Sequence, residues 1–161
     1  MRGGAVPPAL LCAAVALALA FAPRRTWPRS LAILITTTVV FAMVPIPHEW
    51  MEGVYLGGWV SVAATAATVH LPGGLTARTV AIVSLNAGLW SGAEIAVAGS
   101  RFDIAKALVG VLLICVAEFT VGCRAPIVAK VIASWLIAVA ILVATLQLLP
   151  VTPGYLPDHL D

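Results

Sequence analysis

The chain has 161 residues, of which 61% are apolar and only 10% charged, and its mean hydropathy is +1.06. Soluble domains carry about a quarter charged residues, so this composition excludes an ordinary water-soluble domain and points to one integral-membrane domain over residues 1–161. Nine Lys or Arg against seven Asp or Glu leave a net charge of +2, spread too thinly for a nucleic-acid-binding stripe.

The first apolar run, Val6 to Ala22, follows Met1-Arg2 and ends in Ala20-Phe21-Ala22, which resembles a cleavable secretory signal. Pro23 after the candidate cut, and Arg24, Arg25 and Arg29 outnumbering Arg2, oppose cleavage, so a retained span is expected. Further runs follow from Ser30 to Ile46, Val54 to Leu71, Leu75 to Gly99, Ile104 to Gly122 and Ile127 to Leu149. Each has a length of about 17 to 25 residues, enough to cross about 30 Å of hydrocarbon as helix. Pro47, Pro72-Gly73-Gly74, Pro126 and Pro150 mark the joints, because proline cannot continue a helix interior. The runs are continuous and not alternating, which excludes a transmembrane barrel. The expected fold is therefore all-α, a polytopic transmembrane helical bundle of about six spans with short loops and antiparallel neighbours.

Orientation follows from Lys and Arg, which concentrate on the cytoplasmic side. Alternate loops collect Arg24, Arg25, Arg29, Arg78, Arg124 and Lys130 on one side, and Arg2, Arg101 and Lys106 on the other. Both termini are then expected outside a cell inner membrane, on the side that also holds Glu49, Glu52, Asp103, Asp158 and Asp161.

Helices in lipid associate where small residues let backbones approach. Gly53, Gly57, Ser61 and Thr65 recur every four residues in the third run, as do Ser84, Gly88 and Gly92 in the fourth. The tight Pro72-Gly73-Gly74 turn joins these two runs, so the third and fourth helices are expected to be the closest-packed pair. Small-residue faces also suit a homo-oligomer or a place in a larger membrane complex.

Two carboxylates fall inside the runs, Glu94 in the outer half of the fourth and Glu118 in the inner half of the fifth. A charge at mid-membrane costs several kcal/mol, so such groups face the bundle interior and need a partner or a proton. On a helix, Ser84, Ser91 and Glu94 share one small, polar side, and Asn86 borders it. Glu118 lies near the cytoplasmic end, where Arg124, Lys130 and Arg78 are candidate ion-pair partners. His48 and Glu52, one turn apart, are weak metal candidates; the zincin pattern needs a second His where Glu52 stands, so a metalloprotease is excluded.

Cys12, Cys115 and Cys123 have no zinc or CxxC spacing and read as small buried hydrophobes. No catalytic triad order, phosphate loop or haem motif occurs, so neither a cofactor nor an enzyme is expected, a lipid-modifying enzyme built on His48, Glu49 and Glu52 being the minor exception. The favoured function is translocation of a small solute, ion or proton along Glu94, Ser91, Asn86 and Ser84, with Glu118 as an inner gate or ion pair. The competing one is a non-catalytic accessory or assembly subunit, and in both the lipid bilayer is the first partner.

Overall fold

Helix α1 (Val6–Ala20) is apolar all round, so no face of it prefers water, and every residue from Leu11 to Leu19 is buried. A computed structural model describes residues 6–98, 109–115, 118 and 126–149. Among these the chain is 88% helical, without strands. Around α1 stand α3 (Met51–Ala67), α4 (Ala77–Ala98), α5 (Pro126–Leu148) and the segment containing the 3-10 turn Gly110–Leu112. Helix α2 (Trp27–Ala42) lies against the outer side of α4, and α5 against α3.

The outer helices bury narrow stripes. On α2 these are Ser30, Leu34 and Thr38, every fourth residue. On α5 they are Ala129, Ala133, Leu136 and Ala140. The remaining faces of both are apolar and exposed, with Ile35, Val39 and Val40 on α2 and Val131, Trp135, Ile141, Leu142 and Leu146 on α5. Thr38 sits in its stripe without an orphan hydroxyl, because its Oγ1 donates back to the Leu34 carbonyl at 2.8 Å.

Among the described residues two helices, Ala77–Val97 and Pro126–Leu148, are long and apolar enough to cross a membrane, and Val6–Ala20 is a shorter apolar helix. Helices α2 and α3 have 16 and 17 residues, about 24 and 26 Å at 1.5 Å per residue. The run expected to Ile46 stops as helix at Ala42, ahead of Pro45 and Pro47. The run from Val54 to Leu71 ends in a tightened 3-10 turn, Thr68–His70, instead of α-helix. Most of the fifth expected span, Ile104 to Gly122, and both chain ends lie outside the described residues.

Helices α1 to α4 run alternately up and down, and α5 is antiparallel to its neighbour α3, so α4 and α5 run in the same direction. At one end, Leu75 N–H donates to Phe21 O at 3.2 Å and Trp27 Nε1 to Leu19 O at 2.9 Å. The α3–α4 turn reaches this position through Gly73 and Gly74, at φ +89° and +80°, left-handed conformations that side chains with a Cβ seldom adopt. The Ser134 hydroxyl meets His70 Nε2 at the same end, at 3.3 Å. At the opposite end the start of α3 faces the end of α5 around Tyr55 and Gln147.

The expectation that α3 and α4 form the closest pair is corrected, because the most extensive helix contact is α2 with α4. Gly88 and Gly92 meet α2: a Cβ on Gly92 would lie 2.6 Å from both Phe41 Cβ and Thr38 O, and one on Gly88 2.8 Å from Leu34 O. Trp90 and Glu94 project about 200° away from these glycines and fill the α3 side. Two bulky side chains there keep the α3 and α4 backbones further apart than those of α2 and α4.

Candidate functional site

The crevice between α3 and α4 is made by glycines on one helix and large side chains on the other. Gly57 lies under the Trp90 indole, and a Cβ on its neighbour Gly58 would fall on Glu94 Oε1. The carboxyl group thus rests directly on the α3 backbone at Gly58. Trp90 and Glu94 are one turn apart, so the Gly57-Gly58 pair receives two consecutive rungs of α4.

Glu94 is 0% exposed, and neither of its carboxyl oxygens has a hydrogen-bond partner among the described residues. No basic side chain comes within ion-pair distance of it there either, since the one ion pair among those residues joins Arg24 to Glu118. An unpartnered buried carboxylate costs several kcal/mol, far more than the few kcal/mol that a neutral polar group loses when unbonded. Fixed protein groups do not meet that cost in the described structure, so a proton, a cation or water is needed at the site.

Other unpaired polar atoms lie along α4 and α3. Ser91 and Ser84 on α4 and Thr65 on α3 are buried, with no partner for their hydroxyls among the described residues. Asn86 Nδ2 donates to the buried Ser61 Oγ at 2.5 Å, a cross-link between α4 and α3. Cys12 of α1 and Tyr55 of α3 both lie within electrostatic reach of Glu94. Buried polar side chains thus form a discontinuous file inside an apolar bundle, with Glu94 and Ser91, the Asn86–Ser61 pair, Ser84 and Thr65 at successive levels of α4 and α3. Beyond Tyr55 toward the acidic end, a cavity of about 440 Å³ is lined by Glu52, Tyr55 and Gln147.

The sequence-derived residues divide accordingly. Glu94, Ser91, Ser84 and Asn86 are all placed at or beside this file, and Ser61 and Gly57 form its α3 wall. Gly53 is exposed, with nothing among the described residues within 4 Å of a Cβ built on it, and Gly88 and Gly92 serve α2. Glu118 belongs elsewhere: it pairs with Arg24 at the basic end, the two side chains being 32% and 80% exposed. Of its expected partners, Arg78 and Lys130 make no ion pair with it and Arg124 lies outside the described residues. Surface pairs of this kind are worth about 0–1 kcal/mol.

His48, Glu49 and Glu52 are exposed at the acidic end, and among the described residues no three metal-ligating side chains come together. Asp103, Asp158, His159 and Asp161 lie outside those residues. Gly58, Cys12 and Tyr55 are the contributors that sequence reasoning missed. The Gly57-Gly58 doublet carried a signal, but a search for glycines four apart passes over the second of two adjacent ones. Compared with models of known protein families, with curated proteins and with solved structures, the chain matches none.

Proposed function

We propose that this chain is a small multi-pass protein of the cell inner membrane that translocates a proton, ion or small solute, with Glu94 as the group that binds and releases it. The observation that carries the proposal is the fully buried Glu94 carboxyl, without a protein partner among the described residues and resting on Gly58. Ser91, Ser84 and the Asn86–Ser61 pair are the further polar stations of the path, and Glu118 acts as an ion pair with Arg24 at its cytoplasmic end.

The distribution of side chains supports the membrane setting. Polar groups, Glu94, Ser84, Ser91 and Thr65, are inside, while Ile35, Val40, Trp135, Ile141 and Leu146 are on the surface. Only 22% of the α5 window is buried, although it is the more apolar of the two long helices. In water such a surface would drive aggregation; in hydrocarbon it is the solvent-matched face. The basic end, with Arg24, Arg25, Arg29, Arg78 and Lys130, is then cytoplasmic and the end with Glu49 and Glu52 is external. An accessory role, in which a neighbouring subunit bonds to Glu94, fits less well, because a group with 0% exposure offers such a subunit no surface.

The experiment is flux into proteoliposomes holding a pH-sensitive dye, with the native chain compared with Glu94→Gln and Glu118→Gln under an imposed pH or ion gradient. Glu94→Gln keeps the shape and removes the titrating group, so it abolishes flux, whereas Glu118→Gln retains most of it. Native flux that is unchanged in Glu94→Gln refutes the proposal, and a native chain that moves nothing in the company of any gradient leaves the accessory role.

A further inference from the structure

The first turns of α2 and α4 come together at the basic end and enclose a cavity of about 450 Å³ lined by Arg25, Thr26, Arg29, Ser30 and Arg78. No acidic residue lines it, and the one ion pair among the described residues uses Arg24, which points elsewhere. Three arginines therefore line one space that has no carboxylate among its described walls. Arg29 is the third residue of α2 and Arg78 the second of α4. Both stand where the helix macrodipole is positive, the end at which it disfavours cations and attracts anions.

Topology signalling alone does not require this arrangement. Arginines that only hold a loop on one side of a membrane do so equally well splayed into water. Here Arg29 and Arg78 come from two different helices, each against its own dipole, and with Arg25 from the 3-10 turn Arg24–Thr26 they line a volume in the range of small-molecule sites. Arginine suits such a place because its planar fork binds phosphate oxygens in pairs. Ser30, 1% exposed, and Thr26 add hydroxyl groups to the lining. We infer that Arg25, Arg29 and Arg78 form a binding site for a phosphate-bearing anion, either the headgroup of an anionic phospholipid or a soluble phosphate. This site is separate from Glu94 and does not depend on what the polar file carries.

The test is binding to the purified full chain in detergent micelles, with phosphatidylglycerol, phosphatidylcholine and inorganic phosphate as probes, read by native mass spectrometry. The expected result is preferential retention of phosphatidylglycerol over phosphatidylcholine. Arg25→Gln, Arg29→Gln and Arg78→Gln each weaken retention about fivefold, the factor for one arginine near an anionic headgroup. Arg29→Lys, which keeps the charge and loses the fork, weakens it by a smaller factor and serves if the Gln variants do not fold. Lys130→Gln, at the same end but outside the cavity, leaves binding within twofold. Displacement of the lipid by millimolar inorganic phosphate identifies a soluble phosphate as the ligand, and persistence of the lipid identifies the headgroup. Equal retention of both lipids with no phosphate binding overturns the inference. So does a loss in Lys130→Gln as large as in the arginine variants, because the attraction would then belong to the whole basic end.

Discussion

Gly92→Ala separates the packing seen here from the regular small-residue stripe visible in the sequence. Its Cβ would stand 2.6 Å from Phe41 Cβ, 2.6 Å from Thr38 O and 3.0 Å from Ala42 N. Two of these are main-chain atoms and the third is fixed to the α2 backbone, so no rotamer change relieves them. To restore ordinary contact, beginning at 3.4 Å, α2 must retreat by about 0.4–0.8 Å, and a gap of that size forfeits a quarter to a half of the dispersion energy of the atoms facing it. Overpacking of this kind costs up to about 3 kcal/mol, and replacing a mid-helix glycine by alanine returns about 1 kcal/mol of helix propensity. The expected net loss is about 2 kcal/mol. Gly53→Ala is the internal control: nothing among the described residues lies within 4 Å of its Cβ, so only the propensity gain remains, and the protein is stabilised by up to about 1 kcal/mol. Equilibrium unfolding in detergent micelles, followed by tryptophan fluorescence, measures both. Equal effects of the two substitutions, or a more stable Gly92→Ala, would refute the assignment of Gly92 to the α2 interface.

Asn86→Ala leaves the buried Ser61 hydroxyl without its donor and is expected to cost about 1–2 kcal/mol; a double-mutant cycle with Ser61→Ala should show a coupling of about 1 kcal/mol, and no coupling would mean that the bond contributes nothing. The proposed orientation is checked with single cysteines in a chain lacking Cys12, Cys115 and Cys123. Glu49 and Lys130 are both exposed, at opposite ends of the bundle, so a membrane-impermeant thiol reagent should label Glu49→Cys in intact spheroplasts and Lys130→Cys only after lysis. Labelling of both from one side would rule out the alternating path.

Hydropathy and proline placement alone determined the helical class and most boundaries. The expected runs from Leu75 to Gly99 and from Ile127 to Leu149 correspond to Ala77–Ala98 and Pro126–Leu148, because an uninterrupted apolar run in lipid has no other way to satisfy its backbone. Glu94, Ser91, Ser84 and Asn86 stood out in the sequence as polar residues of one apolar run, and the structure buries the first three and bonds Asn86 to Ser61. What periodicity describes, however, is each helix about its own axis. It leaves open how that axis is rotated against the next helix, and only the packed structure decided that Gly88 and Gly92 turn to α2 while Trp90 and Glu94 settle on Gly57 and Gly58. The difficulty is greatest for α1, whose side chains are apolar in every direction and so prefer no neighbour; its central position follows from surrounding shapes. Glu118 and Arg24 are 94 residues apart in the chain, a separation across which local pattern has no say, and only the tertiary structure brings them together.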